Sequence, residues 1–90
     1  MTATRSVEIV NKRGLHARAS AKFVKLASDF DAEVTVTREG QSVDARSIMG
    51  LMMLGAGPGS ILELKADGTE AEAVLEALCE LVRSRFDEDA

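Results

Sequence analysis

Ninety residues form one domain with room for a single modest core, and with 46% hydrophobic but only 3% aromatic residues that core must come from Val, Ile, Leu, Met, Ala and three Phe. A net charge of −4 argues against a polyanionic nucleic-acid partner, and no apolar run approaches the roughly 20 residues of a membrane span. One cysteine excludes an internal disulfide, and the first residues lack the apolar stretch of a secretory signal, so the expected setting is a reducing cytoplasm.

In chain order, alternation of Val7 and Ile9 with polar neighbours predicts a first strand near residues 5–10. Asn11-Lys12-Arg13-Gly14 breaks it as a loop. From Ala17 the period becomes helical: Ala19, Phe23, Leu26, Ala27 and Phe30 share one side, and Arg18, Lys22, Lys25 and Asp29 the other. Val34 and Val36 mark a second strand, Glu39-Gly40 a turn, and Gln41–Asp44 a returning third strand. Ser47 is a suitable N-cap for a short helix that Gly55 would stop. Ile61–Ala66 reads as a fourth strand ending at Asp67-Gly68. Thr69-Glu70-Ala71-Glu72 matches a capping box, and Ala71, Val74, Leu75, Leu78 and Val82 form the stripe of a last helix. Cys79 lies beside that stripe as a structural residue, and residues 87–90 read as a frayed tail of the single domain 1–90. The order β-α-β-β-α-β-α predicts an α+β open-faced sandwich. A four-stranded antiparallel sheet would carry three helices on one face and leave the other in water.

The charge is unevenly spread. Residues 1–28 hold six Lys/Arg and one acid, whereas the remainder holds five basic and fourteen acidic residues. The basic cluster surrounds the only histidine, which suits a bound anion or an acidic partner. His16 stands directly before a helix, whose N-terminus presents unpaired N–H groups and the positive end of the dipole. Arg18 can meet phosphate oxygens with a planar fork, and Gly14 allows close approach of the loop. Imidazole is nucleophilic near neutral pH without a separate base. These features together describe a reversible phosphohistidine.

Gly14-Leu15-His16-Ala17-Arg18 is similar to the active-centre motif of the HPr phosphocarrier family of the bacterial phosphoenolpyruvate-dependent phosphotransferase system. Ser47-Ile48-Met49-Gly50-Leu51-Met52 resembles the second signature of that family, at the expected separation. The resemblance implies that His16 takes phosphate on Nδ1 from phosphorylated enzyme I and passes it to an enzyme IIA-type acceptor. Ala17 and Arg18 would bind the phosphate in transit, on a monomeric carrier with no cofactor and no metal. It also implies that Ser47 matches the serine modified by HPr kinase/phosphorylase in members so regulated; as an N-cap, Ser47 already has a structural reason to be there. Two positions depart from the usual family pattern. Ala19 stands where many members have Pro, and Arg13 stands where many have Asn. Neither removes a reacting group, and they leave open a sugar-uptake or a nitrogen-type regulatory branch.

Ile48, Met49, Met52 and Met53 cannot all face inward on a short helix that also buries Leu51 and Leu54. They read either as a Met-filled core or, as the family resemblance implies, as an apolar docking patch beside His16, with Ala21 on the first helix and a ring of Arg18, Lys25 and Arg46. Two other readings compete. A non-catalytic interaction or ligand-sensing module of similar layout would leave His16 incidental. A hydrolase using His16 as base would need a partner nucleophile and an orienting acid, for which the sequence has no motif.

Overall fold

The computed structural model describes residues 1–89 and contains strands β1 (Thr2–Glu8), β2 (Glu33–Arg38), β3 (Gln41–Asp44) and β4 (Ile61–Asp67), with helices α1 (Ala17–Ser28), α2 (Ile48–Met53) and α3 (Ala71–Arg83). The strands make one antiparallel sheet in the order β1-β4-β2-β3, as the α+β expectation requires. Its covered face pairs Val7 with Leu62 and Val36 with Leu64, all buried. Phe23 from α1, Leu51 from α2 and Val74, Leu75, Leu78 and Val82 from α3 complete that core. The open face carries Ser6, Glu63, Thr37 and Ser42 in one cross-strand row, with Thr37 Oγ1 2.7 Å from Ser42 Oγ. Hydroxyls and charges keep that face compatible with water. Among the described residues, no helix is long and apolar enough to cross a membrane. Cys79 is buried in the core, and that burial pushes its thiol up against the opposing charges of Arg83 and Arg5.

Three expectations require correction. The first strand begins at Thr2 rather than Arg5, because pairing with β4 continues to Asp67 although Thr2-Ala3-Thr4 has little apolar character. The capping box does not form. Thr69 Oγ1 donates instead to Asp31 Oδ2 at 2.6 Å, Glu72 pairs with Arg5, and Glu70 occupies the N-cap position. Residues 85–88 are also held in place, where a loose tail was expected from residue 87. After α3, Arg85, Phe86 and Asp87 form one left-handed turn, with φ of 59°, 54° and 62°. Such residues cost roughly 1–2 kcal/mol each, and the turn persists because Phe86 is fully buried while Lys22 Nζ donates to its carbonyl at 2.6 Å. Ala90, part of the same expected tail, lies outside the described residues.

Candidate functional site

Two backbone latches place His16. Gly59 N donates to Ile9 O at 2.8 Å, and Leu15 N donates to Ala56 O at 3.0 Å, so the loop after β1 is tied to the loop before β4. Gly14 adopts φ +63°, and a Cβ there would sit 2.2 Å from Ala56 O. Only glycine fits this crossing. On the other side, Leu15 O accepts from the buried Ser20 hydroxyl at 3.1 Å. His16 is thereby held as the extended N-cap of α1, with φ −71° and ψ 179°.

His16 makes no capping bond with its side chain, and the first turn contains no acidic residue. The first bond within the helix runs from Ser20 N to His16 O at 2.9 Å. The N–H groups of Ala17 and Arg18 therefore point out of the helix unpaired by it, at the positive end of the dipole. Ala17 and Arg18 are exposed, and Arg18 has no ion-pair partner among the described residues. An anion at this helix end would meet backbone donors and a free guanidinium together.

The sequence reading missed two residues here. Glu88 reaches His16 with its carboxylate Oε2 on the imidazole Nε2, and both side chains are largely buried. Its Oε1 accepts from Asn11 Nδ2 at 3.1 Å, and the same Nδ2 donates to Gly14 O at 2.9 Å. Asn11 is fully buried. Burial pushes the Glu88 carboxyl up, but hydrogen bonds from His16 and Asn11 and the charges of His16 and Arg13 hold it below the usual carboxylate range. A contact across 72 residues leaves no local pattern in the sequence. The one signal that could have found it is Phe86, an apolar residue beside an acidic tail and buried here.

The basic cluster and the apolar patch are only partly drawn together. Met52 shares a shallow depression with Arg13, His16 and Ala56. Ile48, Met49, Met52 and Met53 are exposed while Leu51 and Leu54 are buried, as the short helix demanded. Ala21 and Lys25 are exposed on α1, and Lys25 also borders Leu81 and Asp87 on the α3 side. Arg46 is engaged by its own neighbours. It donates to Ala32 O at 2.9 Å and pairs with Glu33 at 3.4 Å, beyond the N-terminal end of α2. Arg5, counted among the basic residues near His16, pairs with Glu72 on α3. Ser47 caps α2 as expected, accepting from Gly50 N at 2.9 Å.

Comparison with known proteins agrees with this geometry. The family described as "PTS HPr component phosphorylation site" matches residues 3–84. Phosphocarrier protein HPr of Cupriavidus necator is 50% identical over 84 residues, covering 93% of this chain and 94% of its own. Phosphocarrier protein NPr of Shewanella violacea is 48% identical over 84 residues, covering 93% and 92%. The crystal structure of HPr-C-His from Thermoanaerobacter tengcongensis matches with a TM-score of 0.93 at 41% identity, covering 98% of this chain and 99% of that one. With the motif, the fold and these relatives in agreement, the chain belongs to the HPr family of the phosphotransferase system and is a phosphocarrier rather than an enzyme.

Proposed function

We propose that His16 is the residue that carries the phosphate, on Nδ1, taken from phosphorylated enzyme I and delivered to an enzyme IIA-type acceptor. The reading rests on one observation above all: His16 sits at the N-terminus of α1 with its side chain uncommitted to capping, beside unpaired N–H groups of Ala17 and Arg18. Those donors and the free Arg18 guanidinium stabilise the phosphoryl group as charge builds on its oxygens. The exposed faces of Ile48, Met49 and Met52, with Ala21 and Lys25, form the surface where acidic partners dock on a monomeric, cytoplasmic carrier. Arg46 belongs to its periphery. Ser47 is a second, regulatory phosphorylation site for HPr kinase/phosphorylase, at a helix start that tolerates an anion.

Incubation with phosphoenolpyruvate and enzyme I tests the central assignment by mass. The wild-type protein gains one acid-labile phosphate, and His16→Ala gains none while keeping its fold, unfolding somewhat more easily because the Glu88 carboxylate loses its imidazole partner. A phosphorylated His16→Ala protein would overturn the assignment.

A further inference from the structure

We propose that Glu88 is a positioning residue for phosphoryl transfer: its carboxylate holds the proton of His16 on Nε2 and so presents the Nδ1 lone pair to the incoming phosphoryl group. The inference rests on His16 as the acceptor and adds to it a residue from the far end of the chain.

The carboxylate is fixed at both oxygens. Oε2 contacts His16 Nε2, and Oε1 accepts from Asn11 Nδ2 at 3.1 Å. The Asn11 amide nitrogen serves two acceptors, Glu88 Oε1 and Gly14 O, which leaves Asn11 Oδ1 buried without a partner. An orphaned buried oxygen is costly. The orientation is retained because the reverse one would face an oxygen toward two oxygens.

The chain reaches this position through a strained turn. Three consecutive non-glycine residues, Arg85, Phe86 and Asp87, take left-handed φ values, and the turn is pinned to α1 through Lys22 and buried Phe86. The result is a strap from the end of α3 to the helix end that carries His16. Strain of this kind concentrates where a function requires one geometry.

The chemistry follows from hydrogen-bonding capacity. An ionised carboxylate only accepts, so Nε2 must bear hydrogen. A neutral imidazole has one ring proton, and Nδ1 is then left with its lone pair. That pair forms the new N–P bond while the bond from phosphorus to the phosphorylated donor protein breaks and its electrons return to the donor. The ring acquires positive charge with its proton still on Nε2, directly against the Glu88 carboxylate. Return of the phosphoryl group to an acceptor reverses each change. The two ring nitrogens diverge, so the carboxylate stands clear of the phosphate. The same division of labour is known where a buried carboxylate sets the tautomer of a catalytic histidine.

Nitrogen-15 NMR of the His16 ring, with phosphorylation by enzyme I measured in parallel, tests the proposal on wild type, Glu88→Ala and Glu88→Gln. The wild-type ring is expected almost wholly as the Nε2–H tautomer, and Glu88→Ala as a mixture. Glu88→Ala should take phosphate on the order of tenfold more slowly, the size of one charge-assisted hydrogen bond realised in the transition state. Glu88→Gln should keep the tautomer through its carbonyl and recover only part of the rate. An unchanged amide spectrum shows that the fold survives each change. A wild-type tautomer ratio in Glu88→Ala would overturn the proposal, whether or not its rate falls, and would leave His16 standing as the acceptor. Absence of phosphate on the wild-type protein would instead remove the acceptor reading.

Discussion

Gly14 and Arg18 flank His16 and act on it in different ways. Gly14 is needed for position, since both its φ of +63° and the 2.2 Å approach of Ala56 O exclude a side chain. Gly14→Ala should destabilise the domain by at least roughly 1–3 kcal/mol, from left-handed strain alone. The latch from Leu15 N to Ala56 O should loosen with it. Thermal unfolding and amide exchange at Leu15 measure both effects, and wild-type values would show that the loop relaxes without cost. In the proposed transfer, Arg18 supplies charge. It is exposed and makes no side-chain ion pair among the described residues, so Arg18→Ala should leave stability unchanged while slowing transfer. Arg18→Lys should restore only part, being a point charge without the planar fork. Unchanged transfer by Arg18→Ala would mean that the N–H groups of Ala17 and Arg18 suffice.

At the scale of elements, what could be read from the sequence was whatever repeats locally. The stripe Ala19, Phe23 and Ala27 predicted the buried face of α1, and the alternation around Leu62 and Leu64 predicted β4. Ser47 announced α2, because an N-cap serine acts three residues away. Thr69 carried the same kind of signal and misled, because Asp31 lies close enough in space to take its hydroxyl. Within the site, His16, Ala17 and Arg18 were legible from a five-residue motif, whereas Glu88 was not. Ser47 also allows a test of α2. Ser47→Ala should cost about 1 kcal/mol through the lost cap. Ser47→Asp retains a capping oxygen, so its unfolding temperature should barely change. It places negative charge at the start of the exposed Met face, so the proposed docking of an acidic enzyme I there should weaken, with the loss shrinking as salt is raised. Wild-type affinity of Ser47→Asp at low salt would leave Ser47 as a helix cap alone.

At the scale of the whole molecule, segments far apart in the chain meet at one site. The loop after β1 supplies His16 and Asn11, the segment after α3 supplies Glu88, and Phe86 seals the join from within the core. This closure should respond to pH in a definite direction. Folding holds the Glu88 carboxyl below the usual carboxylate range, because bonds from His16 and Asn11 and the charges of His16 and Arg13 outweigh the burial that pushes it up. The unfolded chain therefore binds a proton at Glu88 more readily than the folded one. Its contribution to stability is complete above the ordinary carboxylate range, and is lost as pH falls through the lower folded value. Glu88→Gln, which cannot ionise, should unfold more easily than wild type at neutral pH, with the gap narrowing in acid. Because the strap is pinned separately by Phe86 and Lys22, protonation of Glu88 should free the carboxylate before the core opens. The Glu88 carboxyl carbon signal should then shift at a higher pH than the global unfolding transition. Urea unfolding of both proteins between neutral pH and strong acid, followed alongside Glu88 by NMR, measures this. A stability difference constant across that range would show that Glu88 contributes no charge to the closure.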